Sequence, residues 1–174
     1  MTTPRTVYDG ELRVHYCQFD VVSGTEDHVD FGGRTGQRNG LCIATTPGAL
    51  FLVTGLHTGT VGLTVELHDT SPPIEDHWEE VVEVSFRPVS SRLAVVPWGD
   101  GALCETRLDV RDHRVRYCAL GMDEARERES EILEGDLTVD RYLLQFWPAP
   151  PAPDGVIRQT SASAAYWHGL TAGN

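Results

Sequence analysis

The chain is expected to be mainly β, an antiparallel β-sandwich of jelly-roll-like type with a short C-terminal helix. Three observations carry that expectation. Apolar residues recur at every second position in segment after segment, clusters of Gly, Pro, Asn and Asp separate those segments, and helical periodicity is confined to short stretches. With 174 residues and 40% hydrophobic content, the chain suffices for one domain with its own core and is short for two.

The first strong strand is "LRVHYCQFDV" (12–21), which places Leu12, Val14 and Tyr16 on one face. Residues 20–40 are rich in Gly, Asp and Arg and read as a long loop. "ALFLVTGL" (49–56) and "TVGLTVELH" (60–68) follow, and the "HTGT" between them suits a hairpin. In the second of these, Val61, Leu63, Val65 and Leu67 alternate with Thr60, Thr64, Glu66 and His68, as in a half-buried antiparallel strand.

In "IEDHWEEVVEVSF" (74–86), Ile74, Trp78, Val81 and Val82 also fit a helical stripe. A helix would set Glu75 against Glu79 and Asp76 against Glu80, like-charge pairs that cost about a few tenths of a kcal/mol each. The valine-rich second half therefore predicts a strand over 80–87. Val82, Val84 and Phe86 then point inward, Glu79, Glu83 and Ser85 face out, and Glu75, Asp76 and His77 sit in the loop after "SPP".

"SRLAVVP" (91–97), "CETRLDV" (104–110), "HRVRYCAL" (113–120) and "RYLLQFW" (141–147) complete about eight strands. If Val110–Asp112 closes a hairpin, Cys104 and Cys118 fall opposite each other, although reduced thiols are the ordinary state in a cytosolic sheet. Residues 121–136 hold seven acids against two arginines and suit a short exposed helix. The β-sandwich is expected over 1–147, with a stiff Pro-rich spacer and a short helix over 148–174 packed on the same domain. Tyr166 and Trp167 lie in that tail and suit docking on the sandwich. They equally suit contact with another subunit, so a homodimer stays open.

Composition excludes several function classes. The 14 basic residues are all arginine, which removes Schiff-base lysines and the phosphate-loop lysine. A net charge of −12 repels phosphate backbones and anionic lipid, so neither direct nucleic-acid binding nor a membrane-surface role is expected. The first twenty residues lack an apolar run of signal-peptide type, and a cytoplasmic location is expected.

Chemical motifs are sparse. H-E-x-x-H, the EF-hand loop and paired Cys spacing are all missing, so no metal and no other cofactor is expected. No G-x-S-x-G frames a nucleophile, and Glu79 and Glu83 on one strand would stand about 13 Å apart, too far for a glycosidase pair. No catalytic residue is assigned.

The acidic surface remains. Glu75, Asp76, Glu79, Glu80 and Glu83 gather around Trp78, a pattern suited to steering a basic protein onto an aromatic anchor. A different class of function, a small hydrolase or ligand-binding sandwich, would build its site from loops 20–40 and 69–79 with Asp30, Arg34, Arg38 and His77.

Strands in this order, with "GALFLVTGLHTGTVGLTVELHD", the acidic lead into "EEVVEVSFRPV" and the closing "YLLQFWPAP", resemble the competence protein J and DNA-entry nuclease inhibitor family over about residues 11–150. The resemblance implies a compact β-sandwich without enzymatic activity that binds a protein partner, a nuclease in the better-known member. The acidic insertion at 121–136 and the tail after Asp154 depart from the family pattern.

Overall fold

Residues 3–135 and 137–171 are described by a computed structural model. Two sheets pack face to face, as the alternation demands. The larger contains β1 (Arg5–Val14), β5 (Gly59–Leu67), β10 (Arg141–Pro148), β9 (His113–Leu120), β6 (Glu80–Phe86) and β11 (Gly155–Arg158), in that spatial order. The smaller runs β3 (Cys42–Ile43), β4 (Ala49–Val53), β2 (Gln18–Val22), β7 (Arg92–Pro97), β8 (Cys104–Arg107). Pairing is antiparallel except between β5 and β10, which run parallel. Among the described residues three short helices complete the fold: α1 (Met122–Glu127), α2 (Glu129–Glu134) and α3 (Ala162–Gly169).

The alternation places the core. Val61, Leu63 and Val65 of β5 and Val82, Val84 and Phe86 of β6 are buried between the sheets, against Phe19, Leu50 and Leu52 from the smaller sheet. Burying one such side chain contributes about 1.5–3 kcal/mol. Tyr117 and Tyr142 stack inside with ring centroids 5.6 Å apart, and each finds a partner for its hydroxyl. Tyr117 donates to the Val53 carbonyl at 2.9 Å, and Tyr142 donates to Asp140 at 2.6 Å while accepting from Gly55 N–H at 2.8 Å. These bonds tie the end of β4 to the opposite sheet.

Two expected hairpins do not form. The "HTGT" segment leads from β4 in the smaller sheet to β5 in the larger, and residues 108–112 lead from β8 to β9 in the same sense. In each case both flanking strands need a two-sided core, so the connection crosses between layers instead of folding a strand back beside its neighbour. Cys104 and Cys118 consequently lie in different sheets, and all four cysteines are free.

The first crossing is the tightest. β1 ends at Val14, and β2 begins at Gln18, with His15 and Gln18 bridging. Tyr16 and Cys17 both take left-handed backbone, with φ of 57° and 58°, the signature of a type I′ turn usually built from Asn and Gly. Tyr16 therefore leaves the inward face expected of it and is 58% exposed. Each non-glycine residue held this way costs on the order of 1 kcal/mol, and the turn is held by Cys17 N–H to the His57 carbonyl at 3.0 Å and Thr54 N–H to the Cys17 carbonyl at 2.9 Å.

Most of the acidic segment forms α1 and α2, which bury Met122, Ala125 and Ile132 and leave Glu124, Glu127, Glu131 and Glu134 exposed. Asp123 accepts from Ala162 and Ser163 N–H at 2.9 Å, and Glu129 turns to the chain before β5. β11 is an edge strand that the Pro-rich spacer had concealed, paired with β6. Beyond it, α3 starts at the Ser161 cap, whose side chain accepts from Ala164 N–H. Trp167 packs on the core, while Tyr166 is exposed.

Candidate functional site

The residues 75–83 approach β6 through a turn at Asp76–His77 and do three different jobs. Glu75 and Asp76 are exposed, and Glu79 is half-buried. Trp78 lays its ring on Val81, Cys118 and Leu143, on the outer face of the larger sheet, with Ile74 beside it. His77 stacks obliquely on Trp78 at 4.6 Å between ring centroids and pairs with Glu75 at 3.2 Å. Arg158 of β11 closes the loop by donating to the carbonyls of Glu75, Asp76 and Trp78 at 3.2, 3.5 and 2.7 Å.

Glu80 and Glu83 serve the fold: Glu83 faces outward as expected but is largely covered by its pairing, and Glu80 is buried. Glu80 is 1% exposed. Its carboxylate accepts from Thr160 N–H at 3.0 Å and Ser161 N–H at 2.6 Å, fastening the start of α3 to β6. Burial raises its pKa, and the bonds from Ser161 and Thr160 oppose that rise. Glu83 accepts from Nε and Nη2 of Arg116 at 3.0 and 2.9 Å. Much of the charge that makes this segment conspicuous is thus spent inside the molecule. Replacing Glu80 with alanine should leave two backbone donors without an acceptor, lower stability by about 2 kcal/mol and speed amide hydrogen exchange across 155–171. Exchange unchanged in that segment would show that the helix is held by other contacts.

The second set of candidates is split. Arg34 lies between the rings of Phe31 and Trp167, 5.1 and 5.0 Å from their centroids, which is a cation–π arrangement within the long loop and α3. Arg38 offers only its backbone to the tail: its N–H donates to Asp154 at 2.8 Å, and its carbonyl accepts from Thr171 Oγ1 at 2.9 Å. At Gly40 the N–H donates to His168 Nδ1 at 2.9 Å, and a Cβ would collide with the Trp167 carbonyl. Asp30 is exposed beside Thr46, which bonds its carbonyl at 3.2 Å. His77 instead lines a groove of about 400 Å³ with Trp78, Thr64, Asp9 and Arg141, over β1, β5 and β10. The arginines of the loop brace the C-terminal helix, and the histidine belongs to another surface.

No group of three or more His, Cys, Asp or Glu side chains able to hold a metal ion occurs among the described residues. No described helix is long and apolar enough to cross a membrane.

One feature had no sequence signal. At the end of the sandwich where β1 passes into β2, Tyr16 meets Trp98 edge-on at 4.6 Å and His57 at 5.4 Å, and Trp98 faces His15 at 6.1 Å. Trp98 is 41% exposed. A Gly or Asn at position 16 would have announced the turn; Tyr reads as strand.

The two-sheet arrangement is that of a β-sandwich known from solved structures. The structure is similar to ComJ from Bacillus subtilis, an inhibitor of the DNA-degrading activity of NucA, with a TM-score of 0.59 and 16% identity over 85% of this chain and 100% of that one. It is also similar to the protein described as crocagin biosynthetic gene J, with a TM-score of 0.54 and 12% identity over 86% of this chain and 100% of that one. At such identities the likeness establishes a shared fold. No family model matches the chain, and no curated protein matches it in sequence.

Proposed function

We propose that the chain is an acidic, non-enzymatic protein-binding module of the inhibitor or immunity type that engages a basic protein, with a nuclease as the leading partner class. The fold shared with ComJ, a nuclease inhibitor, carries this reading. The net charge of −12 is its physical complement, because a nuclease cleft is basic and carboxylates can occupy it in place of phosphates. In this reading Glu75, Asp76 and Glu79 act as rim charges around Trp78, while Glu80 and Glu83 keep the loop's base in shape. The small-hydrolase alternative loses its support, because Arg34 and Arg38 brace the tail and His77 lies in a separate groove.

The test is capture from native lysate at about 50 and about 300 mM salt, a range over which the screening length shrinks about 2.5-fold, followed by assay of the purified captured protein on DNA. A basic nuclease retained at low salt, released at high salt and inhibited by the chain is the expected result. Glu75→Gln, Asp76→Asn and Glu79→Gln together should slow association about tenfold with little change in dissociation. Trp78→Ala should speed dissociation, with a thermal melt run alongside because its ring also packs on Val81, Cys118 and Leu143. Captured proteins that are not basic, or retention indifferent to salt, would overturn the reading.

A further inference from the structure

The exposed aromatic cluster at the β1–β2 crossing stands at one pole of the sandwich, and the strand register shows what surrounds it. β1 ends there at Val14, β5 begins at Gly59 opposite it, and β4 and β7 reach the same end of β2 at Val53 and Pro97. In the larger sheet, β9 ends and β10 begins there, paired Leu120 with Arg141. The α1–α2 segment that links β9 to β10 therefore caps this pole too. Glu129 of α2 accepts from Thr58 N–H at 3.0 Å, next to His57. The charge of the same carboxylate is felt at Cys17, whose thiol pKa is raised chiefly by burial and then by Glu129, with Arg126 opposing.

Around the rings the charge is negative. The described part of α1–α2 carries six carboxylates and two arginines. Arg128 is already held by Glu124 at 2.9 Å and Glu131 at 2.7 Å. Asp100 shares the turn of Trp98, its N–H bonded to the Pro97 carbonyl at 3.3 Å. Arg13 and Arg141 are at this end as well, lining grooves on the outer face of the larger sheet, and Arg126 of α1 acts on Cys17 against Glu129, so the negative charge at this pole is a net one.

We infer that Tyr16 and Trp98, rimmed by Glu129 and Asp100, form a docking surface for an arginine-bearing segment of a basic protein. A guanidinium is planar, stacks on aromatic faces and pairs with carboxylates at once, which a lysine ammonium does less well. Tyr16 and Trp98 are set at 68° to each other, and both keep ring surface open to solvent. The backbone at Tyr16 fits this role: a residue that would be Asn or Gly for stability is instead a large, exposed aromatic. The inference rests on the basic-partner reading above and names where such a partner is gripped.

The probe is a hexa-arginine peptide titrated into the full chain at low ionic strength, followed by two-dimensional ¹⁵N NMR, with hexa-lysine as the comparison. The largest shifts are expected at the Trp98 indole N–H and at the amides of His15–Gln18, His57 and Asp100. Hexa-arginine should bind at least threefold more tightly than hexa-lysine. Tyr16→Asn, which suits left-handed backbone and should melt no lower than the parent, and Trp98→Leu should each weaken hexa-arginine at least fivefold and abolish its advantage. Shifts centred on Glu75–Glu79, shifts spread evenly over all acids, or no binding would each overturn the inference. A captured basic protein whose affinity ignores Tyr16→Asn would sink this surface and leave the proposed function standing; failure to capture any basic protein would sink that function.

Discussion

Arg116→Ala should lower the free energy of unfolding by about 3–5 kcal/mol, the range for breaking one side of a buried charge pair. Arg116 is 3% exposed, and its guanidinium is a hub. Beyond Glu83 it donates to the Pro72 carbonyl at 2.7 Å and to Gln145 Oε1 at 3.3 Å, and it lies 5.1 Å from the centroid of Trp147. Removing it strands the Glu83 carboxylate and frees the "SPP" lead-in, so the acidic loop above should loosen as well. A double change, Arg116→Met with Glu83→Leu, deletes both charges and should recover most of the loss. Urea denaturation of the three variants measures this, and a loss below about 1 kcal/mol for Arg116→Ala would show that the ion pair is exchanged for water at little cost.

Asp140→Asn should stabilise the protein above neutral pH and do little in acid. Asp140 is fully buried, and burial pushes its pKa up to about 6 against the hydrogen bond from Tyr142 that opposes it. Asp20 is raised to about 6 by burial as well. The sign follows from linkage: a carboxyl whose folded pKa exceeds its unfolded one contributes stability that is complete below about pH 4 and disappears as pH rises through about 6. A shift of roughly two units corresponds to about 3 kcal/mol, so Asp140→Asn should raise stability at pH 7.5 by about 2–3 kcal/mol and leave it nearly unchanged at pH 4. His113 and His168 pull the opposite way, since burial lowers both. The difference between variant and parent across pH is therefore the quantity to read, by denaturation at matched ionic strength. A difference that stays flat from pH 4 to 7.5 would mean that the carboxyl titrates alike in the folded and the unfolded chain, with no shift from burial.

Local alternation made the strands legible; partners distant in sequence stayed hidden. β5 and β6 were readable because each buries every second residue, and the parity of Val82, Val84 and Phe86 follows directly from it. The sheet to which each strand belongs was not, because Val53 and Gly59, or Arg107 and His113, look like hairpin neighbours until the core on both sides is filled. β11 was lost behind prolines, and the start of β1 behind Asp9, Gly10 and Glu11. The acidic segment was visible as charge, yet its division of labour was not. Glu80 finds Thr160 and Ser161 some eighty residues away, and Glu83 finds Arg116 thirty-three residues on. Arg34 and Arg38 likewise carried charge that suggested a ligand site, whereas the tail uses one as a stacking plate and the other as backbone.

In the proposed function, long-range electrostatics bring a basic protein to this chain. Stopped-flow association with the purified captured partner, read against ionic strength from about 20 to about 200 mM, measures that steering. The predicted result is an association rate constant that falls by at least tenfold across that range while dissociation changes little. A rate constant independent of salt would contradict it.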